Sequence, residues 1–330
     1  MTYMHAIIKS LGMRYAECNI SVIALHYPFS KVKYSFYHAH VFPMNGRNSK
    51  RMKLLTFYRS WKKLKAIHKE CPINGILCLW LNEASFLGKL FGEKFGIPYL
   101  YWAFGQDVKP SNRYLKLIRP QKEHLAVMST WQIEILSQSK IYAERVIENG
   151  ILPEDFVWEA EDGNSDEIDI LGVGSLSLLK NYKEFVEIVA LVAKQFPEIK
   201  CSLVGEGPCE AELREQIKIR KLEERVQLKN FAPHHQILGQ MKKSLIFLHP
   251  SHFEGNSTVM LEAAMAGNYI ICREGISRYS HSLIHSYGNA ENAAKIICAI
   301  LRKGKNKPEG VMLSNIHDRM GEVMDYFNKE

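Results

Sequence analysis

From residue 168 onward, apolar runs of strand length alternate with stretches whose apolar positions recur every three or four residues. IDILGVG (168–174) reads as a buried strand, and KEFVEIVALVAKQF (183–196) as an amphipathic helix turning Phe185, Ile188, Val189, Val192 and Phe196 inward. CSLVG (201–205), VQLKN (226–230) and SLIFLHP (244–250) repeat the strand pattern, with the helical CEAELREQIKIRKL (209–222) between the first two. Such alternation predicts a parallel sheet with right-handed crossovers, a Rossmann-like domain.

The first half alternates as well. NISVIALHYP (19–28), NGILCLWL (74–81), IPYLYWAF (97–104), HLAVMS (124–129) and RVIEN (145–149) are strand candidates, and ENGILPED (148–155), with Gly150 and Pro153, marks a boundary. The chain therefore reads as α/β, with two Rossmann-like domains at 1–150 and 151–313 facing across a cleft. A helix near 314–330 is placed to pack back on the first domain. The opening MTYMHAIIKSLGMRYAE carries Met4, Ile7, Ile8 and Leu11 at helical spacing. Doubly wound sheets usually open on a central strand and a glycine turn, so the first domain reads as lacking its opening strand.

Charge divides the two halves. Residues 1–150 hold 22 Lys+Arg against 9 Asp+Glu, and residues 151–330 hold 21 against 26. Much of the excess lies in 47–69, where Leu54, Phe57, Tyr58, Trp61, Leu64 and Ile67 recur at helical spacing while Lys50, Arg51, Arg59, Lys62, Lys63 and Lys69 take other faces. Two readings stand for this helix: a core-packed element with a solvated outer face, or a face docking on an anionic membrane surface. No nucleic-acid motif accompanies the charge. No apolar run reaches the roughly 18 residues of a membrane-spanning helix. Lys9 and Arg14 follow the first apolar residues, unlike a signal peptide. The expected location is cytoplasmic, at the inner face of the cell membrane. Seven cysteines without CxxC or His-paired spacing imply reduced thiols and no metal site.

HPSHFEGNSTVMLEAAMAGN (249–268) places Glu254 in a Gly-containing turn and Glu262 eight positions on, in an apolar stretch that reads as a helix. The N–H groups at a helix start, with the positive end of its dipole, suit a diphosphate, and the amides of 256 to 258 lie at such a start. Glu262, one turn inside, can accept hydrogen bonds from the two hydroxyls of a ribose, and Glu254 can face a sugar. His249 and His252, beside Pro250, read as packing or turn residues and not as metal ligands.

This segment resembles the Glu-x7-Glu signature of retaining glycosyltransferases of the GT-B fold, family 4 (glycosyl transferases group 1). GVGSLSLLKNYKEFVEI (172–188) is similar to the family's strand, loop, Lys and helix, LVGEGPCEAELR (203–214) to its Gly-acidic-Gly-Pro turn, and NFAPHHQI (230–237) to its loop near the base. In the first half FGQD (104–107) resembles a His-Gly-x-Asp element and ENGI (148–151) the hinge.

The resemblance implies that Lys180 binds the donor diphosphate, Glu254 touches the transferred sugar and Glu262 binds the ribose. The backbone from Gly255 through Asn256, Ser257 and Thr258 holds phosphate and sugar; Gly174, Ser175, Gly205, Gly207, Asn230 and Phe231 complete the donor side. Asp107 is the catalytic candidate of the acceptor side, although from the residues alone it is equally a helix cap. No metal and no cofactor beyond the nucleoside diphosphate sugar is implied. Where many relatives carry an Arg after the strand glycine this chain has Ser175, with Arg273 as the substitute cation, and Phe104 stands where many carry His.

The implied activity is transfer of a sugar, with retention, to a saccharide or lipid-linked saccharide in cell-surface polysaccharide synthesis. The alternative is a truncated or inactive GT-B protein that binds a nucleotide sugar or a partner without turnover. A nicotinamide site at GVGSLS (172–177) is disfavoured, because this G-x-G-x-x-S lacks the third small residue that lets helix and strand pack.

Overall fold

The computed structural model describes residues 2–156 and 167–329. Packing divides the chain into two units, Met1–Asn149 with Ile316–Glu330, and Gly150–Asn315.

The first unit comprises α1 (Thr2–Arg14), β1 (Ile20–Ala24), β2 (Tyr34–Phe36), β3 (Ala39–Pro43), α2 (Lys53–Glu70), β4 (Ile76–Leu79), α3 (Glu83–Phe95), β5 (Tyr99–Ala103), α4 (Arg113–Ile118), β6 (Leu125–Val127), α5 (Thr130–Ser137) and β7 (Arg145–Val146). Its strands form two sheets: β1 parallel to β3 with β2 antiparallel on β3, and a parallel set in the order β4-β5-β6-β7. No strand among the described residues joins β1 to β4, so the register aims the backbone groups of Ser21 and Ile23, and of Leu77 and Leu79, away from their only partner strands. Helix α1 reaches both sheets, with His5 against Phe36 and Tyr3 edge-on to Trp102 and Phe104. The hairpin β2–β3 was not anticipated, because its turn at Tyr37-His38 carries no Gly or Asn and Tyr37 itself adopts a φ of 49°.

Helix α2 buries only part of the face its apolar spacing suggested. Leu54 and Tyr58 point outward, 87% and 63% exposed, while Thr56 and Ser60 are buried. The aromatic face of α3 decides this, since Phe57 packs on Phe86 and Trp61 on Phe91 and Phe95. Small side chains between those contacts let the helix approach closely, and the Ser60 hydroxyl donates back to Thr56 O at 2.8 Å.

The second unit contains β8 (Ile168–Val173), α6 (Tyr182–Ala193), β9 (Cys201–Val204), α7 (Glu210–Ile219), β10 (Val226–Lys229), α8 (His234–Lys243), β11 (Ser244–His249), α9 (Thr258–Met265), β12 (Tyr269–Arg273), β13 (Ile284–Tyr287) and α10 (Ala290–Arg302). All its strand pairs are parallel, in the order β10-β9-β8-β11-β12-β13. One face of the sheet packs Ile170, Leu203 and Ile246 against α6, α7 and α10, and the other packs Leu171, Val204 and Phe247 against α8 and α9. Burial on both faces explains why these strands are continuous apolar runs. The last helix, α11 (Ile316–Phe327), returns to the first unit, where His317 Nδ1 meets Ser10 Oγ at 2.9 Å and the Tyr326 hydroxyl donates to Tyr99 O at 2.9 Å. No described helix is long and apolar enough to cross a membrane.

Candidate active site

Because the second sheet is parallel throughout, the carboxyl ends of its strands share one edge. The strand order places β8 and β11 side by side where the winding reverses, the position at which open α/β sheets bind ligands. Loops leaving four strands carry the donor-side candidates to this edge. Gly174, Ser175 and Lys180 follow β8, Gly205 and Gly207 follow β9, and Asn230 and Phe231 follow β10. Glu254, Gly255, Asn256 and Ser257 follow β11, and Thr258 opens α9, which carries Glu262.

Two of the loops interlock. Gly174 N donates to Val204 O at 3.0 Å, Leu176 N to Glu206 O at 2.9 Å and Cys209 N to Leu176 O at 2.9 Å. A Cβ on Gly205 would stand 1.9 Å from Gly174 O, and one on Gly207 2.4 Å from Leu176 O. Glycine is therefore a packing requirement at both positions.

The loops after β8 and β11 are stitched in turn. Leu179 O accepts from His252 N at 2.9 Å and from Ser251 Oγ at 3.2 Å. One residue on, Lys180 Nζ donates to Glu254 Oε1 at 2.5 Å, and the same oxygen lies 3.0 Å from His249 Nε2. Ser257 Oγ is 3.4 Å from that nitrogen. Burial works to raise the Glu254 carboxyl, but the hydrogen bond from His249 and the charge of Lys180 outweigh it and hold the group at about 2. Burial pushes the His249 imidazole down, against the pull of Glu254. A neutral imidazole that donates from Nε2 leaves a bare lone pair on Nδ1, and Nδ1 is buried with no hydrogen-bond partner among the described residues.

Glu262 is 7% exposed, and its Oε1 pairs with His234 Nε2 at 2.8 Å from the first turn of α8. Ser257 is the N-cap of α9 and its carbonyl accepts from Met260 N, so the positive end of this helix opens beside Glu254. Asn256 Nδ2 donates to the Tyr279 hydroxyl at 2.9 Å. Asn230 and Ser175 are exposed, and Phe231 is exposed with its N–H donating to Glu206 Oε1 at 3.2 Å.

Three readings of the sequence change here. Arg273 does not stand in for the cation absent at Ser175, because its Nη1 is held by both carboxylate oxygens of Glu184 at 2.6 and 2.7 Å. Asp107 belongs to the first unit, and its carboxylate is committed to the backbone N–H groups of Leu81, Phe104 and Gly105 at 2.7 to 3.2 Å. It organises the loop after β5 and caps no described helix, the following α4 being capped by Asn112. His249, read as a packing or turn residue, does pack, fully buried and stacked on Phe247, and is in addition the third member of the Lys180–Glu254 cluster. The available signal was a lone histidine closing an otherwise apolar strand five positions before a turn glutamate; His234 gave no comparable signal.

Residues 157–306 match the family model described as glycosyl transferases group 1. The gpi3 subunit of phosphatidylinositol N-acetylglucosaminyltransferase from Schizosaccharomyces pombe is 26% identical over 49% of this chain and 36% of its own length. The amylovoran biosynthesis glycosyltransferase AmsK of Erwinia amylovora is 26% identical over 57% and 48%. The chain thus spans about half or less of the length of these relatives. Among solved structures, sucrose-phosphate synthase of Thermosynechococcus elongatus superposes with a TM-score of 0.77 at 18% identity, covering 99% of this chain and 93% of that one. The HepE protein of Anabaena in complex with UDP and glucose gives 0.74 at 16% identity, covering 99% and 96%. The fold is GT-B.

Proposed function

We propose that, in this chain of GT-B fold whose residues 157–306 match the glycosyl transferases group 1 model, the edge around Lys180, Glu254 and Glu262 binds a nucleoside diphosphate sugar and that the chain transfers the sugar to a saccharide or lipid-linked saccharide hydroxyl. The observation that carries the reading is the convergence of one lysine, one strongly acidic carboxylate and a helix start at the carboxyl ends of β8 and β11.

In the reaction, the bond between the anomeric carbon and the diphosphate oxygen breaks with its electron pair staying on the diphosphate. The acceptor oxygen bonds the anomeric carbon on the face the leaving group vacates, which retains configuration. The acceptor's proton passes to the departing phosphate oxygen. Lys180 and the first-turn amides of α9 stabilise the charge that develops on the diphosphate. Glu254 orients the sugar and stabilises the cationic character of its ring. A buried carboxylate such as Glu262 takes the ribose hydroxyls. The relatives named for phosphatidylinositol N-acetylglucosaminyl transfer and for amylovoran biosynthesis make lipid and polysaccharide acceptors the first to test.

The test has two arms. A nucleoside diphosphate at about 100 times its dissociation constant should stabilise the chain by about 2.7 kcal/mol, visible as a shift of the thermal melt that Glu262→Ala abolishes. Turnover of the corresponding sugar donor should fall about 100- to 1000-fold in Lys180→Ala. Full turnover in both Lys180→Ala and Glu254→Ala would reject the reading. Binding without turnover would favour the non-catalytic alternative, which is supported by Ser175 and the engaged Arg273 leaving Lys180 as the cationic side chain of the cluster.

A further inference from the structure

Fifteen large apolar side chains stand exposed among the described residues, and eight of them fall between Tyr27 and Tyr58. Scattered exposed leucines and tyrosines need no explanation, but a concentration of this kind does. The same stretch is singular in charge. Residues 18–69 hold eight Lys and three Arg and not one Asp or Glu.

Two segments carry six of the eight apolar residues. The connection from β1 to β2 presents Tyr27, Phe29 and Val32 beside Lys31 and Lys33, with the Tyr27 and Phe29 rings 4.9 Å apart. The outward side of α2 presents Leu54, Leu55 and Tyr58, with Lys62 and Lys65 following on the same side. They are tied together by backbone and by charge. Gly46 N donates to Leu25 O at 2.8 Å and Asn48 N to His26 Nδ1 at 3.3 Å, which fixes the β1–β2 connection against the lead-in to α2. The ammonium groups of Lys33 and Lys63 stand 5.2 and 4.7 Å from the ring centre of the same residue, Phe42.

We infer that this combined surface docks the first unit on an anionic lipid bilayer, with Phe29, Val32 and Leu54 entering the interface and the surrounding lysines meeting the headgroups. The face is therefore wider than a basic helix alone, because half of its apolar content comes from a loop. A stretch of 52 residues with no acidic side chain is complementary to anionic headgroups, aromatic rings and long cationic side chains are the groups that settle at a membrane interface, and no described helix can cross the bilayer. An acidic protein would match the charge but has no need of six exposed apolar side chains. The inference concerns the first unit and stands apart from the transfer chemistry.

The test is sedimentation of the full chain with vesicles of phosphatidylcholine alone and with about one third phosphatidylglycerol, without any nucleotide. Binding to the second composition only, weakening as salt rises, is expected. Lys33→Ala and Lys62→Ala should each lower it about fivefold. Phe29→Ser and Leu54→Ser should each lower it about tenfold with unchanged thermal melts, because both side chains are already solvent-exposed. No binding, equal binding to the neutral vesicles, or binding indifferent to all four substitutions overturns the inference. A dimer in sedimentation velocity that Leu54→Ser dissociates would also overturn it, by assigning the surface to a second copy of the chain. A protein that binds vesicles but no nucleoside diphosphate would leave this surface standing and reject the donor site.

Discussion

His249 Nε2 and Glu254 Oε1 lie 3.0 Å apart at the end of β11, and the imidazole making the contact is wholly buried. Lys180 shares the same carboxylate oxygen, so a diphosphate that draws Lys180 away leaves His249 as the donor that keeps Glu254 in place. His249→Leu removes a hydrogen bond to a charged group, about 1.5–3 kcal/mol, or roughly 10- to 100-fold. The loss should fall on kcat of donor turnover and leave donor KM nearly unchanged, and His249→Gln, which retains an N–H donor, should recover part of it. An unchanged kcat in the Leu variant would mean that Glu254 is oriented without the imidazole.

The same cluster sets an acid limit. The Glu254 carboxyl is held at about 2 against an ordinary value of 4.5, so the folded state binds its proton less readily than the unfolded chain. The stability this contributes is complete above pH 4.5 and is lost as pH falls through 4.5 towards 2, roughly 3 kcal/mol in all. Urea unfolding of wild type and Glu254→Gln should show a stability gap that narrows steadily between pH 6 and 3. A gap independent of pH would show that the carboxylate is not stabilised by its neighbours.

Gly205→Ala should damage both fold and site. The new methyl would meet Gly174 O at 1.9 Å where φ is 158°, and backbone atoms on both sides cannot move without breaking the bonds between the two loops. A strain of this kind costs about 1–3 kcal/mol, read as a lower melting temperature together with weaker nucleoside diphosphate binding. An alanine variant that melts and binds like wild type would mean that the two loops separate easily.

The outward side of α2 can be checked without lipid. Leu54→Ser and Tyr58→Ser should change stability by no more than about 0.5 kcal/mol, whereas Trp61→Ala, which removes contacts to Phe91 and Phe95, should cost at least about 2 kcal/mol. The reverse ranking in urea unfolding would mean that Leu54 and Tyr58, and not Trp61, face the core.

The second sheet was legible because its central strands are buried on both faces, so β8, β9 and β11 appear as largely apolar runs with glycine or proline at their ends, whereas the edge strand β10 alternates Val226 and Leu228 with the exposed Gln227 and Lys229. The donor-side loops followed from that, since each candidate lies at the carboxyl end of a strand. Side-chain partnerships were not legible in the same way. Lys180 and Glu254 are 74 positions apart, and Arg273 and Glu184 meet only because β12 and α6 are brought together by the strand order. In α2, Leu54 and Trp61 have equal claims to the core by spacing. The choice is made by Phe86, Phe91 and Phe95 on another helix, which no local pattern records.

Glu262 and His234 supply the last expectation. The Glu262 carboxylate is buried and paired with His234 Nε2 at 2.8 Å through Oε1, so a ribose must either share that oxygen or take the other. Either way the hydroxyls, and not the base, are what Glu262 can recognise. Calorimetry should therefore show that removing the 2′ and 3′ hydroxyls of the nucleoside diphosphate weakens binding to wild type about 10- to 100-fold, the worth of a hydrogen bond to a charged group, and has little further effect on Glu262→Ala. The two losses must coincide and not add, since the carboxylate and the hydroxyls are two ends of one interaction. Additive losses would place the ribose elsewhere and leave Glu262 as the partner that holds the start of α8 through His234.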